Sequence, residues 1–312
     1  MVILGTELPS NVVRWTDTKM SKQNSAVVAV INMKGGVGKT TLAGNVFREL
    51  FLNRKIRTLL VDFDPQFNLS QLLLTRKAYE SLVDEGKSIH TVLQHRPPDS
   101  VFAVSDEYHL DVESAEKLAT RLKYISGPDG IRLDLIAGSF ELAMMNLRDF
   151  RTLQLPFRRL AKFIGNAQET YPLIVFDCNP SSSFTSWAAL QLATHVFVPV
   201  RADRYSVLGV DMVRRYIEQI VLDRPKPKMN IVINDVTDDD PEVVKASQEL
   251  RGHTVYGPLV LANMIKHTEL LRAKSDYTGF ARDKKVSHKK NVRSMLTKVA
   301  MEYADALGFH DE

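Results

Sequence analysis

One cysteine, Cys178, stands in 312 residues. It excludes an intramolecular disulfide and any cluster built on paired cysteines, and it suits a reducing cytoplasm. No run of about 18 apolar residues exists, so no segment reads as a membrane-spanning helix and stable membrane insertion is not expected. Residues 1–25 form a polar leader without a core-forming pattern, too poor in apolar side chains for a signal sequence. A leader of that length cannot hold a helix-turn-helix, so sequence-specific operator binding is not expected. Internal repeats and low-complexity tracts are lacking as well.

What is present is a series of short apolar runs separated by helical stretches. That pattern argues one α/β domain over residues 26–312, with a doubly wound, mainly parallel sheet flanked by helices. The least regular part, residues 68–130, carries Pro97-Pro98 and Gly127-Pro128-Asp129-Gly130 and reads as a helical insertion beside the site.

The most informative run is Met33-Lys34-Gly35-Gly36-Val37-Gly38-Lys39-Thr40-Thr41. It follows Ala26-Val27-Val28-Ala29-Val30-Ile31-Asn32, which reads as a buried parallel strand, and it precedes a proline-free helical stretch from Leu42 to Leu52. Strand, glycine-rich loop and helix are the context of a phosphate-binding loop. Glycines turn successive N–H groups inward around phosphate oxygens, and the helix N-terminus adds its positive end. Lys39 reaches the β- and γ-phosphates in such a loop, and the Thr40 hydroxyl ligates Mg²⁺. The strict pattern G-x-x-x-x-G-K-[ST] fails because Met33 occupies its first position, leaving the deviant form K-G-G-x-G-K-T with a second lysine, Lys34. Lys39 already faces the loop's own phosphates. Lys34 is therefore placed to project toward a neighbouring molecule, where it would neutralise charge on a nucleotide held by a partner, as an arginine finger supplied in trans does.

Two more apolar runs end in acids. Thr58-Leu59-Leu60-Val61-Asp62-Phe63-Asp64-Pro65-Gln66 delivers two carboxylates to the edge where open α/β sheets bind ligands. Strand-terminal turn acids are the plainer reading of that segment. Tyr171-Pro172-Leu173-Ile174-Val175-Phe176-Asp177-Cys178-Asn179-Pro180-Ser181 is Walker-B-like, with Asp177 near Mg²⁺ through water.

Together these segments resemble the ParA/MinD family of deviant-Walker P-loop ATPases, and among them most closely the ParA-type partition ATPases. The likeness continues in Ile131 to Ser139 with Glu141-Leu142, in Val196 to Arg201 with Tyr205 to Gly209, and in Asn230 to Asn234. It spans roughly residues 26–310, strong at the three phosphate motifs and loose between them. The resemblance implies an ATP-sandwiched homodimer in which Lys34 makes the cross-subunit contact and Asp64 orients the attacking water. Nucleotide contacts would come from Lys34, Gly35, Gly36, Val37, Gly38, Lys39, Thr40 and Thr41, and Mg²⁺ contacts from Thr40, Asp62 and Asp177. Asn234 would reach the base, with a locally satisfied turn asparagine as the alternative. The family usually has two prolines after the Walker-B cysteine; Asn179 replaces the first, which frees an N–H and is expected to loosen that turn.

Charge is uneven. Residues 262–300 hold ten basic and three acidic side chains, a surplus of seven, which leaves the remainder at −3 of the total +4. Their densest part contains Arg282, Lys284, Lys285, Lys289, Lys290 and Arg293. A basic run is often only a solvated face, but in a ParA-like chain it implies non-specific binding to duplex DNA through phosphates. The resemblance further implies nucleoid association, segregation of a DNA cargo, and hydrolysis stimulated by a ParB-like centromere-binding adaptor. Rival readings are a MinD-like membrane positioner, a ParA-like positioner of a protein cargo and a small-molecule P-loop kinase. The last has no use for a trans lysine. Val292, Met295, Leu296, Val299, Tyr303 and Leu307 form one apolar stripe, expected to pack on the body because the chain end after it is acidic.

Overall fold

The computed structural model describes residues 25–94, 110–126, 130–237, 239–271, 279–283 and 289–310. Seven strands make one sheet: β1 (Ala26–Val30), β2 (Thr58–Phe63), β3 (Thr120–Ile125), β4 (Ile131–Ile136), β5 (Leu173–Cys178), β6 (His195–Arg201) and β7 (Lys228–Asn234). Their order is β3-β4-β2-β5-β1-β6-β7, and only the β3–β4 pair is antiparallel. The helices between the strands are α1 (Lys39–Arg54), α2 (Asn68–Leu73), α3 (Arg76–Asp84), α4 (Ile89–Leu93), α5 (Ala115–Leu118), α6 (Glu141–Asn146), α7 (Gln154–Ala167), α8 (Phe184–Leu192) and α9 (Ser206–Ile220), and α10 (Pro241–Gly252) and α11 (Lys289–Leu307) follow β7.

The central strands β1, β2 and β5 are buried at every residue because helices cover both faces. The two-residue period of a strand divides them between two cores. Val27, Ala29 and Ile31 join α7, α8 and α9 on one face, while Ala26, Val28 and Val30 join α1 and α11 on the other. The chain winds from β1 to β2 on one side, and β6 and β7 lie on the other. The switch in direction therefore opens a crevice at the C-terminal end of β1, where such sheets bind ligands.

The last helix packs on the body as expected. Val292, Leu296, Val299 and Tyr303 are buried against α1, with Met295 and Leu307 at the margin. The Tyr303 ring lies 5.8 Å from Phe47 and 4.7 Å from Phe197, and each such aromatic contact adds roughly 0.5–1.5 kcal/mol to the burial itself. Among the described residues, no helix is long and apolar enough to cross a membrane.

The expected helical insertion at 68–130 needs correction. Helices α2 to α5 occupy much of it, but residues 120–125 add β3 to the sheet edge, antiparallel to β4 with an irregularity between Arg121 and Lys123. Leu122 and Ile125 reach the core while Arg121 and Tyr124 are exposed, a three-residue spacing that the irregularity imposes on the usual alternation of an edge strand. Its charges discourage pairing with another chain. Pro97-Pro98 and residues 127–129 lie outside the described residues.

Candidate nucleotide site

Helix α1 has no side-chain cap and no acid in its first turn. Its cap position is Gly38 at φ 93°, two residues after Gly36 at φ 73°, left-handed conformations that cost other residues about 1–2 kcal/mol. The first N–H groups of α1 have no acceptor within the helix and suit an anion.

Three strands hold the loop in that shape. Asn32, just past β1, donates from Nδ2 to the Pro199 carbonyl of β6 at 2.7 Å, and its Oδ1 accepts the Lys34 N–H at 2.9 Å. From the end of β7, Asn234 Nδ2 donates to the Val37 carbonyl at 2.9 Å. A Cβ on Gly38 would stand 2.3 Å from that nitrogen, so the close approach requires glycine as much as φ does. Asn234 therefore braces the loop from across the sheet, through a bond that is not local to its own turn.

Lys39 is largely buried and folds back so that Nζ donates to the Lys34 carbonyl at 3.2 Å. Burial pulls its pKa down, while Asp177 and Asp64 pull it back up. Parallel pairing sets Asp62 of β2 beside Asp177 of β5 at the C-terminal ends of both strands. Asp62 accepts from the Ser70 N–H at 2.7 Å and the Ser70 hydroxyl at 2.6 Å; that hydroxyl accepts the Gly138 N–H at 2.9 Å. Asp64 accepts the Gln66 N–H at 2.9 Å. Both oxygens of Asp177 are buried without a well-formed hydrogen bond, though the Thr40 hydroxyl lies against this carboxylate. Burial, then the charge of Asp62, pushes Asp177 well above the usual carboxylate range.

Carboxylate oxygens buried without donors suit a cation. Asp177, with the Thr40 hydroxyl against it, therefore suits a hard divalent ion beside an anion at α1.

Burial also raises the Asp62 pKa, to about 7 from an ordinary 3.8, outweighing the Ser70 hydrogen bonds. Between those values the folded chain keeps a proton that the unfolded chain has released. Stability from this group therefore falls as pH rises and is fully lost above about pH 7. Asp62→Asn removes the ionisation and keeps an acceptor for Ser70. The nucleotide-free variant is expected to be more stable than wild type at pH 8, by roughly 1–3 kcal/mol, with the difference closing toward pH 4. Chemical denaturation across that range measures it. Parallel pH profiles for the two proteins would refute the assignment.

The turn after β5 is not loosened by Asn179. Its Oδ1 accepts from the hydroxyls of Ser183, Thr185 and Ser186, and its Nδ2 donates to Ser181 at 2.6 Å. A side-chain network replaces the rigidity that the missing proline would bring.

The far wall lies on the segment from Arg201 to Tyr205. A cavity of about 880 Å³ opens between the loop and the β6–α9 connection, lined by Lys34, Gly35, Gly36, Arg201, Asp203 and Tyr205 among others. A second, of about 400 Å³, runs past Gly38, Thr41 and Asn234. Both are bordered by Asp235, held at φ 61° by Arg201 at 2.8 Å and His267 Nδ1 at 2.6 Å. The only signal for Asp203 was its position between the strand and Tyr205.

The basic segment divides. Arg282 turns inward and donates to Glu49 at 2.7 Å, because that carboxylate is almost wholly buried and needs a cation. This corrects its expected place on a DNA-facing surface. Thr297 donates to the same oxygen at 2.9 Å, tying α11 to α1. Lys290 and Arg293 are exposed on the first turns of α11, which begins at Lys289. Lys284 and Lys285 lie outside the described residues.

A family described as AAA domain matches residues 25–231. The chromosome-partitioning ATPase Soj of Treponema pallidum (strain Nichols) is 29% identical over 193 residues, covering 61% of this chain and 62% of that protein. The chain thus spans less than two thirds of this relative's length. The fold is similar to a putative plasmid partition protein of Borrelia burgdorferi B31 bound to AMPPNP, with TM-score 0.63, 16% identity, and 91% and 100% of the two chains covered. It is similar also to pNOB8 ParA bound to nonspecific DNA, with TM-score 0.62, 16% identity, and 92% and 100% covered.

Proposed function

Because the chain belongs to this AAA-domain family, and within it to the ParA/MinD-type P-loop ATPases, we propose that it is a Mg²⁺-dependent ATPase that dimerises around ATP, binds duplex DNA non-specifically in that state and segregates a DNA cargo. The observation that carries this reading is the loop with two lysines. Lys39 is folded over its own cradle, while Lys34 points out of it into an open cavity. A cation aimed away from its own phosphate site is placed to serve a second subunit.

In this reading the N–H groups at the start of α1, with Lys39, hold the phosphates. Thr40 and Asp177 would hold Mg²⁺, with Asp62 behind them. When bound, such an ion would neutralise charge on the phosphates. Asp64 orients the attacking water, and Lys34 contributes positive charge from the facing copy. Catalysis is then positioning and electrostatics rather than covalent chemistry. Exposed Lys290 and Arg293 on α11 supply phosphate contacts to DNA, joined by Lys284, Lys285 and Lys289. The DNA-bound state of pNOB8 ParA and the partition role in the name of Soj support this side of the proposal. A ParB-like, cargo-bound adaptor would stimulate hydrolysis and release.

Light scattering and filter retention of duplex DNA test the two halves together. A non-hydrolysable ATP analogue, but not ADP, should double the mass and bring DNA retention with it. Retention should fall steeply with salt and depend little on sequence. Lys290→Glu with Arg293→Glu should flatten the log–log salt slope by about one unit for each DNA phosphate no longer neutralised. Unchanged retention in that variant would return the segment to an ordinary solvated face.

A further inference from the structure

Without a facing copy, the Lys34 ammonium rests against the carboxylate of Asp203 in its own chain. The Tyr205 ring lies 6.0 Å away. Asp203 sits in a turn built to hold that carboxylate still. Its Oδ1 accepts the Tyr205 N–H at 2.9 Å, and its own N–H donates to the Ser206 hydroxyl at 2.8 Å. The Ser206 hydroxyl in turn donates to the Asp203 carbonyl at 2.6 Å or the Arg201 carbonyl at 2.8 Å. One carboxylate oxygen, Oδ2, is left for Lys34. At the other end, Asn32 pins the Lys34 N–H. The backbone on both sides of the pair is thus fixed, and only the four-carbon stem of the lysine is free to swing.

The ends of both side chains lie at the mouth of the open cavity, with 41% of the Lys34 side chain and 36% of the Asp203 side chain exposed. That exposure sets the strength of the contact. It is neither a buried pair that would lock the lysine nor a bare surface contact without effect.

We propose that Asp203 parks Lys34 in cis, so that dimerisation requires an anion on the facing copy strong enough to take the ammonium away. The inference rests on the ATP-dimer reading above. A γ-phosphate carries more charge than a carboxylate and would meet the lysine in a closing, water-poor interface, where charge-assisted contacts strengthen. ADP offers no such group at that position. A partly exposed ion pair shifts an equilibrium by about 1.5- to 5-fold. Two such pairs must break for each dimer, so the latch is worth roughly 2- to 25-fold in the dimer dissociation constant. It acts as a threshold on nucleotide state, not as a block.

Asp203→Asn tests this directly, since it keeps an acceptor for the Tyr205 N–H and removes the charge that holds Lys34. In the nucleotide-free protein, competitive acetylation of Lys34 read by mass spectrometry should speed up severalfold, with Lys39 unchanged as the internal reference. With a non-hydrolysable ATP analogue, sedimentation should show the dimer tightened within the range above. Unchanged Lys34 acetylation, or a dimer no tighter than wild type, overturns the latch. Lys34→Ala separates the two ideas. If that variant dimerises like wild type, the trans role of Lys34 fails, and the latch with it. If it loses the dimer while Asp203→Asn gains nothing, only the latch fails.

Discussion

Lys34→Ala is expected to slow ATP hydrolysis by about a thousandfold, at the lower end of what a cation supplied in trans contributes to phosphoryl transfer. It should also remove the ATP-dependent dimer while leaving the monomer's affinity for nucleotide within a few-fold of wild type. The split follows from the geometry. Lys39 is folded into the cradle and stays there in the variant, held by the Lys34 carbonyl, a backbone group that the substitution keeps. What disappears is the side chain that leans out over the cavity. Binding of a fluorescent nucleotide, single-turnover hydrolysis and sedimentation on one preparation separate the three quantities. A variant that loses nucleotide binding together with dimerisation would place Lys34 in its own subunit's site instead.

Asp64→Ala carries the other large effect, and the opposite pattern. Hydrolysis should fall by roughly 10²- to 10³-fold, the range for losing a group that positions or deprotonates the reacting water. Dimerisation and DNA retention with ATP should persist, because the group acts after assembly. The Asp64 carboxyl is buried and raised by that burial, while the Gln66 N–H and the charge of Lys39 hold it down. It therefore stands between a fixed donor and the phosphate lysine, with one oxygen engaged by Gln66. Asp64→Asn should show nearly the same defect, since the amide keeps the shape but not the charge. If either variant fails to bind ATP, the acid belongs to the loop's support and the water-orienting role passes elsewhere.

The placement of these two residues was legible in the sequence because it is local. A glycine-rich loop shapes itself through its own φ angles, and Lys34 and Lys39 take opposite directions from positions within it. Strand-terminal acids behave similarly: each apolar run carries its acid to the C-terminal end of its strand, although only the β2–β5 pairing sets Asp62 beside Asp177. The apolar stripe of α11 was legible for the same reason, since a helix repeats its face every few residues whatever it packs against.

What escaped is long-range. Ser70 as the partner of Asp62 required the start of α2 to fold back over β2. Arg282 looked like a surface cation until Glu49, 233 residues earlier, proved to be buried beneath it. Asn179 looked like a weakened turn until three hydroxyls converged on it. The edge strand β3 was hidden because a half-buried strand with charges on its open side resembles any polar stretch.

The sequence by itself therefore determined the doubly wound sheet, the anion-binding start of α1, the pair of lysines and the acids that face them. Each of these depends on periodicity or on backbone geometry within a few residues. Only the tertiary structure decided that Asn234 braces the loop across 197 residues and that Asp203 holds Lys34 across 169. Side-chain partners so far apart meet only where the order of the strands brings their ends together, and no local pattern encodes that order.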